Sequence, residues 1–181
     1  DEAYIFDMQE IINDIKEEYK TTEPNLSIEI VKSDLPEKVM DLGVQEGIVR
    51  AIYAAHNGVY RMSADMANLV ETSNNIARVI IKDGEILVGC LTRSSVESSK
   101  FDLANSLRSA FELVGCEVEL SGSYPGWTPN VNSEILEVLK DIYEKQNGEK
   151  PKVVACHAGL ECGILGTNYP DMDMISFGPT I

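Results

Sequence analysis

Two runs of β-forming residues, Ile76 to Lys82 and Glu85 to Leu91, flank the dipeptide Asp83-Gly84. No other stretch constrains the fold as strongly. Asp-Gly suits the two positive-φ positions of a type I′ turn, whose twist matches that of the strands it joins. Pairing Lys82 with Glu85 sets the register: Ile80 opposite Leu87, Arg78 opposite Gly89 and Ile76 opposite Leu91. Opposite charges beside the turn favour that pairing.

The flanking segments extend the pattern. Ser98 or Ser99 is positioned to cap a helix carrying Phe101, Ala104, Leu107, Phe111 and Val114 on one face, with Gly115 at its end. Cys116 to Leu120 follows as a strand. Upstream, residues 4–19 place Tyr4, Met8, Ile11, Ile12, Ile15 and Tyr19 at helical spacing with acids opposite. Leu26, Ile28 and Ile30 then alternate with polar residues, which predicts a half-buried strand. Lys32 to Asp41 reads as a loop. Val44, Ile48, Val49, Ile52 and Tyr53 indicate a second helix, weakened by Gly43 and Gly47 and stopped at His56-Asn57-Gly58. Neither period accounts for residues 59–66. The expected class is α/β of the α+β kind, an antiparallel sheet with helices on one face.

Ser121 to Pro129 holds two glycines and two prolines in nine residues and ends this first unit. Beyond it, Ser133 caps a helix with Leu136, Leu139, Ile142 and Tyr143 that stops at Asn147-Gly148. Val153 to Cys156 and Met174 to Phe177 are short apolar runs typical of strands covered on both faces. One helix and two strands cannot cover such strands, so residues 122–181 read as an incomplete α/β piece.

A net charge of −15 excludes the positive face that nucleic acid or an anionic membrane surface requires. No apolar run approaches the ~18 residues of a membrane span. The chain opens Asp1-Glu2-Ala3-Tyr4 without a signal-peptide pattern or an initiator Met, as expected of a processed chain or part of a longer one. Cys90, Cys116, Cys156 and Cys162 form no C-x-x-C pair, which points to reduced thiols and a cytoplasmic setting. Cys156-His157 with Cys162 lacks the second close-spaced pair that a structural zinc site needs.

The block Cys156-His157-Ala158-Gly159-Leu160-Glu161-Cys162-Gly163 directly follows an expected buried strand. Small residues at the carboxyl end of a strand let a ligand approach the backbone, and they also suit a tight structural turn. Glu161 fits a helix N-terminal charge, and His157 a satisfied core histidine.

His157-Ala158-Gly159-Leu160-Glu161-Cys162-Gly163, with Tyr169-Pro170-Asp171-Met172-Asp173-Met174 and Gly178-Pro179-Thr180-Ile181, closely resembles the aminoacyl-histidine dipeptidases. These Xaa-His dipeptidases, which cleave carnosine-like substrates, fall in the co-catalytic di-zinc metallopeptidase clan. The resemblance continues through Ser123-Tyr124-Pro125-Gly126-Trp127, Leu91-Thr92-Arg93-Ser94-Ser95, Val70-Glu71-Thr72-Ser73 and Asn57-Gly58-Val59-Tyr60-Arg61. It implies a zinc-binding catalytic domain interrupted by a lid. Residues 1–121 then correspond to the later part of a ferredoxin-like lid and dimerisation domain, and 122–181 to a truncated return into the catalytic domain.

The resemblance also implies site residues. Arg93 matches a lid arginine that binds the substrate's C-terminal carboxylate, a task for which a planar guanidinium fork is suited. Gly159 matches a glycine lining the substrate pocket, with His157 and Glu161 beside it as further pocket residues. No catalytic or metal-binding residue carries over. Two zinc ions are expected in the full-length parent and none on this piece, because the matching ligands fall before residue 1 and just after Ile181. The implied partners are a dipeptide substrate and a second copy bound through the lid. Alternative readings are a non-catalytic lid and dimerisation module, or a related tripeptidase or carboxypeptidase specificity.

Overall fold

The structure is a computed structural model that describes residues 2–128, 130, 132–155 and 161–178. The chain divides into two compact units, Asp1–Val39 and Met40–Ile181.

In the first unit, α1 spans Glu2–Tyr19. Its covered line is Met8, Ile12 and Ile15, one helical face. The amides of Thr22 and Glu23 both donate to the Tyr19 carbonyl (3.1 and 2.7 Å) and end the helix. Leu26 to Val31, expected as a strand, has no ladder partner among the described residues. Alternation supplies a face, but a strand also needs a neighbour to take its amides and carbonyls.

The second unit holds the sheet. Helix α2 (Leu42–Ala54) starts where the Asp41 carboxylate accepts from the Gly43 and Val44 amides at 2.9 and 3.3 Å. Strands β1 (Gly58–Met62), β2 (Val70–Lys82) and β3 (Glu85–Ser94) form an antiparallel sheet in the order β1-β2-β3. Residues 59–62 of the unassigned stretch therefore lie in β1. Two register irregularities against β2 break its alternation, which is why no period of two is visible there.

The hairpin forms as expected from Lys82–Glu85 through Arg78–Gly89, with Asp83 and Gly84 at φ +54° and +84°. Ile76, however, pairs with Cys90 rather than Leu91. Ala77 is the extra residue of a bulge, and it shifts every pair beyond it by one. The pairs that follow are Asn75–Leu91, Asn74–Thr92, Ser73–Arg93 and Thr72–Ser94.

Helix α3 spans Glu97–Glu112 and packs on β2, β3 and α2. Neither Ser98 nor Ser99 caps it. The preceding Val96 carries no side-chain cap, and the Ser99 hydroxyl is instead bonded inward to Thr72 (2.8 Å). Gly115, at φ +82°, closes the other end: its amide donates to the Glu112 carbonyl and that of Cys116 to Phe111. Ile48 and Ala51 from α2, its C-cap Ala55, and Leu103, Leu107 and Phe111 from α3 form the buried core of this unit among the described residues. Ile76, Ile86 and Val88 pack beneath it, so both helices cover one face of the sheet.

The expected strand at 116–120 does not form. Cys116 and Val118 pack against the core, but the run stands off from β3 across a cavity of about 720 Å³. Strands pair at only ~4.8 Å. Helix α4 (Glu134–Asn147) runs from Ser133 to Gly148 (φ +74°) as the caps predict. Residues 153–155 and 174–177 carry no ladder, contrary to the two expected strands, and Cys156 lies outside the described residues. Helix α5 spans Glu161–Asn168 and starts at Glu161, the residue that fitted a helix N-terminal charge; residues 156–160 of the small-residue block lie outside the described residues.

Candidate functional site

Arg93 lies at the end of β3, on the sheet face away from the helices. Ile86 and Val88 pack on the core, and the Ser94 hydroxyl bonds the Thr72 hydroxyl (2.8 Å), which also bonds Ser99 of α3. By the period of two, Arg93 points oppositely. The strand beneath it is riveted by polar side chains. Thr92 donates to Asn74 Oδ1 (3.0 Å), Asn74 Nδ2 donates to the His56 carbonyl (2.8 Å), and Asn57 Oδ1 accepts from the Ile76 amide (2.8 Å). The guanidinium itself is exposed, and no hydrogen bond or ion pair among the described residues engages it. A cation of fixed base and open end is suited to receive a carboxylate.

Directly after β3, the segment Tyr124–Thr128 lies against the chain. Lys100, 9% exposed, donates from Nζ to Glu97 Oε1 and to the Tyr124 carbonyl, both at 2.6 Å. The Gly126 amide donates to that same Oε1 at 2.8 Å, and Thr128 Oγ1 donates to the Ser95 carbonyl at 3.0 Å. Desolvation at Glu97 works to raise its carboxyl, but the hydrogen bonds from Lys100 and Gly126 prevail and hold it below the ordinary range.

Glycine is required at two points of this contact. A Cβ on Gly126 would stand 2.7 and 2.8 Å from the Ser95 and Ser94 carbonyl oxygens. On Gly163 of α5 it would stand 2.6 Å from the Pro125 carbonyl oxygen and 3.2 Å from that of Gly126. Three backbones thus stack without side chains between them: the end of β3, the Pro125-Gly126 peptide and the first turn of α5.

Of the expected site residues, this stack ties the strand bearing Arg93 to the helix that begins at Glu161. Glu161 is exposed at the start of α5, as a helix N-terminal charge. His157 and Gly159 lie outside the described residues. Sequence reasoning passed over Glu97 and Lys100, and took Gly163 only as part of the small-residue block. The Glu97-x-x-Lys100 spacing was the available signal, but its third partner is 24 residues away.

Asp173 also has a role that was not foreseen. Its Oδ2 accepts from the Ser133 hydroxyl (2.9 Å) and the Ile135 amide (3.0 Å), so it caps α4 from a distance. The Ile135 amide foremost holds its carboxyl below the usual range.

Among the described residues, no group of three or more His, Cys, Asp or Glu is placed to hold a metal ion. Cys90, Cys116 and Cys162 are free thiols, with burial raising that of Cys90. His56 meets Tyr60 edge-on at 5.2 Å, and the Tyr60 hydroxyl donates to Asp102 (2.8 Å). No described helix is long and apolar enough to cross a membrane.

The cytosol non-specific dipeptidase of Escherichia coli (strain K12) is 35% identical over 169 residues, covering 84% of this chain and 35% of that protein. An aminoacylhistidine dipeptidase crystal structure from Vibrio alginolyticus matches the fold with a TM-score of 0.85 at 37% identity. That match covers 93% of this chain and 34% of the other. This chain is homologous to part of a dipeptidase. It spans about a third of the length of these relatives. The mixed α/β architecture with its antiparallel sheet is that of the structural relative. No family model matches the chain.

Proposed function

We propose that this chain is the substrate-carboxylate clamp and one pocket wall of a dipeptidase acting on Xaa-His dipeptides in the cytoplasm. Residues 1–121 would be its later lid and 122–181 part of its catalytic domain. One observation carries the reading. Arg93 presents a guanidinium that no described residue engages, at the end of a paired strand, and that strand end is stacked through Gly126 onto the helix that begins at Glu161. A bound dipeptide would place its C-terminal carboxylate on Arg93, and by the resemblance Gly159, His157 and Glu161 would be its pocket residues.

Two zinc ions belong to this reading of the longer protein. The described residues supply no donor set for one, so no chemical step is assigned to them. Arg93→Ala, made in the longer protein, is expected to raise KM for dipeptides about ten- to hundredfold, the worth of a hydrogen-bonded charge. Zinc content and kcat should hold. A loss of zinc in that variant would refute the role given to Arg93.

One relative is named for aminoacylhistidine substrates and the other as non-specific. A panel of dipeptides differing only in the C-terminal residue separates the two, and equal kcat/KM across the panel would remove the Xaa-His assignment.

A second reading, a dimerisation module, is favoured by apolar side chains exposed on the sheet face away from α2 and α3. Ile80, Leu87 and Leu91 are exposed there, and β3 has a free edge among the described residues.

A further inference from the structure

Lys100 is a nearly buried ammonium on the first turn of α3. A cation in that position is tolerated only when its donors are met. Here one acceptor is Glu97, its own helix neighbour, and the other is the main-chain carbonyl of Tyr124. Glu97 in turn holds the Gly126 amide. The pair therefore grips the chain on both sides of Pro125, whose ring already fixes its backbone. Thr128 adds a third hold, on Ser95. Lys100 acts on no substrate directly, but the segment it grips is the middle layer between the Ser94-Ser95 carbonyls and Gly163.

We propose that Lys100, together with Glu97, is a positioning residue for dipeptide binding, fixing the distance between the strand end that bears Arg93 and the α5 wall. This rests on the dipeptidase reading above. Released from Lys100, the Pro125-Gly126 peptide would be free to shift. The guanidinium would still meet a carboxylate, but at the wrong distance from the wall. Å-scale misplacement of a binding group can cost on the order of a hundredfold in rate.

The test compares dipeptides bearing a free C-terminal carboxylate with the same dipeptides as C-terminal amides, using the longer protein that carries this chain. Wild type should prefer the free acid, and Arg93→Ala should lose the preference. Lys100→Met should erode it about tenfold in kcat/KM, mainly through KM, with Lys100→Arg restoring most of it. A merely structural role would lower thermal stability and slow both substrates equally. An unchanged acid-to-amide ratio in Lys100→Met therefore overturns the proposal. If that variant does not fold, Glu97→Ala, at a half-exposed side chain, releases the Gly126 amide and is held to the same ratio.

Hydrogen exchange on the 181-residue chain gives an arm independent of catalysis. Lys100→Met should speed exchange at the Gly126 amide and in α5 together, and unaltered α5 exchange overturns the coupling. A wild-type protein inactive on every dipeptide would remove the dipeptidase reading, whereas the exchange arm would still decide whether the lock exists.

Discussion

Gly47 and Gly163 both sit inside helices, and the space around them differs. A Cβ on Gly47 would meet Val114 at 3.6 Å, an ordinary contact, whereas on Gly163 it would overlap the Pro125 carbonyl. Alanine improves helix propensity at both by about 0.5–1 kcal/mol, but overpacking against backbone costs about 1–3 kcal/mol. Gly47→Ala should therefore raise the melting temperature and Gly163→Ala lower it, as thermal denaturation followed by circular dichroism would read. Arg93 belongs to this scale too. Its residue type and strand-end position were visible in the sequence, but on those grounds alone it is an ordinary surface arginine, and only the resemblance gave it a role. Lys100 is harder still to read, because beside Glu97 its second partner is a main-chain carbonyl 24 residues on.

At the scale of elements, α4 shows how a helix predicted correctly is incompletely understood. Ser133 was legible as its cap, and the hydroxyl does accept from the Leu136 amide at 3.2 Å. The Asp173 carboxylate that also reaches this terminus comes from 40 residues downstream, beyond any local pattern. Because Asp173 titrates lower in the folded chain than in the unfolded one, its stabilisation of α4 is full above the ordinary aspartate pKa. It is lost as pH falls through the lowered value. Asp173→Asn should flatten that acid limb in a pH series of melting temperatures. An equally steep limb in the variant would show that other carboxylates carry it. Ser133→Ala should cost about 1 kcal/mol at neutral pH.

The hairpin was readable from its turn outward as far as Ala77, since turn chemistry fixes register locally and a bulge has no comparable signature. The four expected strands that carry no ladder share one cause. Apolar alternation or an apolar run records what a segment can bury, while pairing depends on which neighbour stands within reach.

For the whole molecule, the hydrophobic cluster of the second unit is small, six buried side chains among the described residues, from α2, its C-cap Ala55 and α3, over one sheet face. The opposite face keeps Ile80, Leu87 and Leu91 exposed. If that face joins two copies, as the second reading holds, each copy brings a net charge of −15 to the encounter. Salt screens such repulsion within about 10 Å at 0.1 M. Light scattering at rising ionic strength should then show dimer increasing with salt, and a strictly monomeric chain at high concentration would count against the module.

The stack at Gly126 has a mechanical consequence. Side chains yield by turning about their bonds, so a contact made through them absorbs small movements. Peptide planes in direct contact have no such give. Anything that pushes on α5 from beside it therefore bears on the Pro125-Gly126 peptide, and through that peptide on the Ser94 and Ser95 carbonyls next to Arg93.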